Sequence, residues 1–295
     1  MTDIPNPTAA AVAAPAPRRP KSRAWAKLRR HPSAIIGAVL VGVFVALALL
    51  APVLPIADPN LTNWGTVRLA PSAAHPLGTD DLGRDILSRM IWGARASLQA
   101  GVVAVAIAIA IGVPLGIAAG YFGGWVDAVI SRCTEALLAI PFLILAIALA
   151  TFLGRSLTNA MIAIGIAATP VFIRLTRAQA INVAAEDYVE SARAIGLSTR
   201  VILTRYILPN TLPPILVQAT LAVASAVIAE ASLSFLGLGQ QAPNASWGAM
   251  LDVAKRFMTQ APWMALWPGI AIFLVVLGFN LFGDGLRDAL DPRED

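Results

Sequence analysis

Charge is the scarcest commodity in this 295-residue chain: only 13% of residues are Asp, Glu, Lys or Arg, while 57% are hydrophobic. Soluble domains carry about 25% charged residues, and half that supply cannot cover a globule with polar groups. An ordinary soluble protein is thereby excluded. A single cysteine, Cys133, rules out an intramolecular disulfide and any cysteine metal cluster. Cys133 falls in a helical run and is expected as a buried structural thiol. The only two histidines, His31 and His75, flank apolar runs, which argues against the nucleophile–base pair or metal cluster an intramembrane enzyme would need. The three lysines, Lys21, Lys27 and Lys255, lie in no G-x-x-x-x-G-K-[ST] context, so no phosphate-binding loop is present.

Long apolar runs are abundant. Charge-free windows at 31–57, 96–126, 136–154, 156–173, 206–229 and 257–283 each reach the length a helix needs to cross the hydrocarbon core. They predict an all-α polytopic bundle of six transmembrane helices. A seventh window, 231–251, holds Gln240, Gln241, Pro243, Asn244 and Ser246 and is expected outside the membrane. Residues 1–30 are Ala/Pro-rich, then basic, and are expected to form a disordered tail. The first run exceeds the 7–15 residues or so of a signal-peptide core and reads as an uncleaved span.

Basic residues set the orientation. Alternating loops place 15 of the 22 on the side of the tail and leave Arg68, Arg84, Arg89, Arg95, Arg155, Lys255 and Arg256 on the other. Both termini are therefore expected in the cytoplasm, with one large inner loop at 178–208. The three expected regions are the tail (1–30), a first span with outer loop and interfacial helix (31–95), and a five-span core (96–292). The Gly112–Gly116–Gly120 spacing puts small residues on one helix face and favours close packing.

Within the inner loop, Glu186-Asp-Tyr-Val-Glu190-Ser-Ala-Arg-Ala-Ile-Gly196 reads as a short helix with acids at its start and a glycine C-cap. Ser198 is expected to cap a second helix, Thr199 to Leu208, interrupted by Pro209. A rigid helix-turn-helix would then project from the bundle. This segment resembles the EAA loop of ABC-importer permeases, E-A-A-x3-G-x9-I-x-L-P. Glu190, Ala192, Gly196, Leu208 and Pro209 match, while Ser191 and Tyr206 replace the usual alanine and isoleucine.

His75-Pro-Leu-Gly-Thr-Asp80-Asp-Leu-Gly-Arg-Asp85-Ile-Leu-Ser-Arg89, Ala231 to Gly239 and Asn280 to Pro292 resemble the second permease of dipeptide, oligopeptide and nickel importers. The likeness covers about residues 30–292. It implies a non-enzymatic permease subunit forming half of a pore in the bacterial cytoplasmic membrane. The implied partners are a second homologous permease, two ATPase subunits and a periplasmic or lipid-anchored solute-binding protein; nucleic acid is not among them. ATP and Mg would be used by the ATPases, and no cofactor by this chain. In this family the loop docks into the ATPase, which makes Glu186, Asp187, Glu190, Ser191, Ala192, Ala194, Gly196, Leu208 and Pro209 the expected coupling residues, with Ala192, Ala194 and Gly196 as its small contact face. An ion-coupled carrier is the rival, but its internal repeats and midplane charges are not seen.

Other polar residues have simpler expectations. Thr79 is expected to cap an interfacial helix with Asp80 and Asp81 in its first turn and Asp85 pairing with Arg89. Trp247, Trp263 and Trp267 are expected in an interfacial belt. Asp284, Arg287, Asp288 and Asp291 are expected on a solvated helix. Glu230, near the outer end of the fifth span, is expected to meet a peptide ammonium, to pair with an outer arginine, or to lie exposed at the mouth.

Overall fold

The structure is a computed structural model that describes residues 28–29 and 31–290; nearly all of the expected tail, and Asp291 with the basic Arg293, fall outside it. No β-strand occurs among the described residues, apart from one isolated bridge between Thr79 and Asp85. The helices are α1 (Pro32–Leu50), α2 (Ile86–Phe122), α3 (Gly124–Leu138), α4 (Phe142–Leu153), α5 (Leu157–Ala184), α6 (Asp187–Ala194), α7 (Thr199–Phe235), α8 (Trp247–Ala254) and α9 (Trp263–Leu290).

Helices α1, α2, α5, α7 and α9 are long and apolar enough to cross a membrane. The window expected as the third span is broken: α3 and α4 meet at a 92° bend. Pro141, with extended backbone (ψ 131°), stands at the start of α4 and explains the break, because its ring cannot continue the preceding helix. The twelve residues of α4 reach about 18 Å, short of the roughly 30 Å hydrocarbon core.

The count of crossings follows from one contact. His31 Nε2 at the start of α1 lies 3.1 Å from Asp288 Oδ2 near the end of α9. The first and last helices thus share one end of the bundle, here the base. An even number of crossings is required, so α3 and α4 together supply the sixth. Asp284, Arg287 and Asp288 lie on the last turns of α9, with Asp284 and Arg287 exposed as expected of a solvated helix end.

The main helix pairing is α2 with α5, and it is made by small residues. A Cβ added at Gly112 would lie 2.7 Å from Phe172 Cβ, one at Gly116 2.7 Å from the Ile173 carbonyl, and one at Gly120 2.6 Å from the Arg177 carbonyl. The glycines therefore let two backbones approach to a distance no side chain allows, as their spacing implied. At the base Arg177 of α5 grips Asp127 of α3 side-on, donating from Nε and Nη2 to the two carboxylate oxygens at 2.5 and 2.6 Å. Cys133 on α3 is exposed rather than buried, because the bend turns α3 away from the core that a straight third span would have joined.

Pro209 does not interrupt the helix that contains it. Residues Ile202–Ile207 adopt π-helical geometry and the chain continues as α7 to Phe235. Pro209 has no N–H for the Arg205 carbonyl and its ring crowds that group; a wider turn relieves both problems.

Candidate functional site

At the base, α6 projects between α5 and α7. Its C-terminus is closed by a Schellman arrangement: Leu197 N–H donates to Ala192 O at 3.1 Å and Gly196 N–H to Arg193 O at 3.0 Å. That closure needs the left-handed backbone Gly196 supplies, φ +77°. Val189 and Ala192 are buried against the body of the protein. Tyr188 stacks on Tyr206 at 6.4 Å, and Arg193 lies 5.0 Å over the Tyr121 ring at the end of α2. Burial, then the Glu186 charge, pushes the Tyr188 phenol above its ordinary pKa.

Glu186, Asp187, Glu190, Ser191, Ala194 and Gly196 face outward, Leu208 is half-buried and Pro209 exposed. The small face expected of Ala192, Ala194 and Gly196 is divided, since Ala192 is only 3% exposed and anchors the helix to its own chain. Its place outside is taken by Ile195, 75% exposed, a residue the motif comparison did not single out. The helix period explains this: Val189 and Ala192 are three apart and share the inner face.

At the opposite end, the crown, Glu230 is fully buried. Ser97 Oγ of α2 donates to its Oε2 at 2.9 Å and Ser234 Oγ to its Oε1 at 2.7 Å, with Ser246 as a third hydroxyl partner. Each serine oxygen also accepts a backbone N–H: Trp247 on Ser97 (3.3 Å), Gln240 on Ser234 (3.1 Å) and Ala249 on Ser246 (3.2 Å). Their hydroxyl protons are thereby left for the carboxylate. Neither the expected arginine nor exposure at a mouth is found; no basic side chain among the described residues pairs with Glu230. A solute in transit cannot touch Glu230 in this conformation. The cage instead ties α2, α7 and α8 together.

The segment before α2 is a compact turn, not an interfacial helix. Asp85 is the N-cap of α2 through Ser88 N (2.9 Å), and Thr79 accepts from Leu69 N (2.8 Å) instead of capping. The buried Asp80 holds Arg84 Nε at 2.7 Å and Arg89 Nε at 3.4 Å, so Arg89 pairs with Asp80 rather than Asp85. Burial and the Asp80 charge raise the pKa of Asp81. His75 Nδ1 meets Asp85 at 3.0 Å. Because α2 starts at Ile86, the boundary expected at 95/96 falls inside a helix. The tryptophans belong to the same scaffold. Trp247 is fully buried and donates to Met90 O (3.1 Å), so an interfacial belt does not describe it, while the half-buried Trp267 donates to Leu77 O (3.1 Å).

A polytopic bundle with a rigid, acid-bearing helix at its base has the form of a transport permease, and comparison with known proteins identifies the group. Residues 112–295 match the family "Binding-protein-dependent transport system inner membrane component", and residues 20–71 match the "N-terminal TM domain of oligopeptide transport permease C". The chain belongs to this family and is a permease subunit of an ABC importer. It is 46% identical to the dipeptide transport system permease DppC of Alkalihalophilus pseudofirmus, covering 93% of this chain and 90% of that one. It is 44% identical to the probable D,D-dipeptide permease DdpC of Escherichia coli K12, over 90% and 89% of the two chains. The glutathione permease GsiD of Shigella dysenteriae is 45% identical, over 94% and 91%. Among solved structures, the inward-facing MetNI methionine ABC transporter superposes with a TM-score of 0.56 at 21% identity, over 70% of this chain and 98% of that chain, a likeness of fold. The ion-coupled carrier is set aside.

Proposed function

We propose that this chain forms half of the translocation pore of an importer for di- or oligopeptides or a related small solute such as glutathione. A second homologous permease completes the pore. Two separate ATPase subunits, using ATP and Mg, drive it, and a periplasmic or lipid-anchored binding protein delivers the solute. The base, with both termini, faces the cytoplasm of a bacterial inner membrane. The ATPase contact is made by α6 through Glu186, Asp187, Glu190, Ser191, Ala194, Ile195 and Gly196, with Ala192 anchoring the helix to its own chain and Leu208 and Pro209 following in α7. Closure of the ATPase dimer pushes α6, and Arg193 on Tyr121 passes the movement to α2.

The projection of α6 carries this reading: a helix clamped on one side by Val189 and Ala192 turns Glu186, Asp187 and Glu190 outward, and among the described residues none of the three has an ion-pair partner. Glu190→Lys and Gly196→Pro are expected to insert and assemble normally while ATP hydrolysis no longer drives uptake. Reconstituted complexes assayed for both activities test this; wild-type uptake by both variants removes α6 from the mechanism.

A further inference from the structure

At the crown a cavity of about 590 Å³ opens between the chain leaving α1, the first turns of α2 and the segment before α8. That is within the range of about 300–1,000 Å³ typical of small-ligand sites. Its polar lining includes Asp58, Asn60, Arg95, Gln99, Gln240 and Asn244, over an apolar floor of Ala51, Leu54 and Ile56. Two of these groups carry charge and neither is neutralised: among the described residues no carboxylate pairs with Arg95 and no cation with Asp58. Arg95 rests beside the Trp92 ring at 6.0 Å, which steadies its guanidinium plane. The Gln99 and Asn244 side chains make no hydrogen bond within the described residues. The Asn60 Oδ1 atom is buried without a partner, a condition native proteins seldom leave unmet.

We infer that this cavity binds a small zwitterion, with Arg95 taking its anionic end, Asp58 its ammonium, and the carboxamides its amide groups. A carboxamide both donates and accepts, which suits a peptide bond, and a guanidinium matches a carboxylate or phosphate bidentately. The same chemistry is presented by a free-ended peptide and by a phosphoethanolamine headgroup. Below the cavity the exposed face of α2 continues through Gln99, Val102 and Ala106, so a bound solute would sit at the head of that face. For a peptide this names the first permease contact of the importer and rests on that reading of function.

Binding is measured apart from transport. The full chain is placed in phosphatidylglycerol nanodiscs, which lack zwitterionic headgroups, and titrated calorimetrically with dialanine, dialanine amide, N-acetyl-dialanine and glycerophosphoethanolamine. Wild type is expected to bind dialanine better than either blocked form. Arg95→Gln is expected to weaken dialanine by about tenfold, the worth of one charge-assisted contact, while leaving the amide unchanged. Asp58→Asn should do the same with respect to the N-acetyl form, and Arg95→Lys should recover part of the loss. Arg95 is exposed, so these variants should fold. Binding of glycerophosphoethanolamine alone assigns the site to a lipid headgroup and keeps the zwitterion assignment. Equal affinity for free and blocked forms, or no binding of any of the four, overturns it. Normal dialanine binding in a complex that imports no peptide would instead refute the proposed function.

Discussion

Replacing Glu230 tests whether the crown is held by a polar clamp. In Glu230→Ala three hydroxyls lose their acceptor, and a fully buried side chain is replaced by a void. Truncating a large buried side chain costs about 2–5 kcal/mol, and an orphaned buried polar group about 1–3 kcal/mol. The serines retain their backbone N–H donors and can turn toward nearby carbonyls, so the sum is discounted to about 3–6 kcal/mol. Glu230→Gln keeps the volume and one acceptor and should lose about 1 kcal/mol. Ser97→Ala leaves Trp247 N–H and Glu230 Oε2 each short of a partner and should cost about 1–3 kcal/mol. The two sites share a bond, so the double variant Glu230→Ala/Ser97→Ala should lose less than the sum, with a coupling of about 0.5–3 kcal/mol. Equilibrium unfolding in mixed micelles, followed by tryptophan fluorescence, reads all four variants, since Trp247 sits against the cage. An unchanged midpoint for Glu230→Ala, or strict additivity, would show that the cage does not hold α2, α7 and α8 together.

Gly116→Leu places a side chain where a Cβ already lies 2.7 Å from the Ile173 carbonyl, and should lower stability by at least about 1–3 kcal/mol in the same assay. Gly42→Ala, with nothing within 4 Å, is the control, and equal midpoints for both would refute the backbone contact between α2 and α5. Six crossings with the base in the cytoplasm, as proposed, place a reporter fused after Arg200 in the cytoplasm and one near Asn244 outside. Arg200 outside with Asn244 in the cytoplasm would remove α3 and α4 as a crossing, and both on one side would remove α7.

The apolar windows made five of the six crossings legible, because lipid demands some twenty apolar residues in a row and the sequence shows them directly. The broken third crossing was hidden for the same reason: window composition registers apolarity and not direction, so Pro141 turned the chain without changing the count. Around α6 the motif located the helix and its glycine cap. It could not say which of Ala192 and Ile195 faces out, since the neighbour that buries one side comes from α7.

The sequence by itself determined that this chain lies in lipid, that small residues line α2, and that a capped helix with acids at its start follows α5. These are local properties, set by side-chain chemistry and spacing. Tertiary structure alone decided what the isolated charges do. Asp80 holds two arginines, Glu230 is enclosed by serines 133 positions upstream and four downstream, and among the described residues Arg95 is left without a carboxylate. A charge in a membrane protein is defined by its partner, and partners on different helices meet only once the bundle has closed.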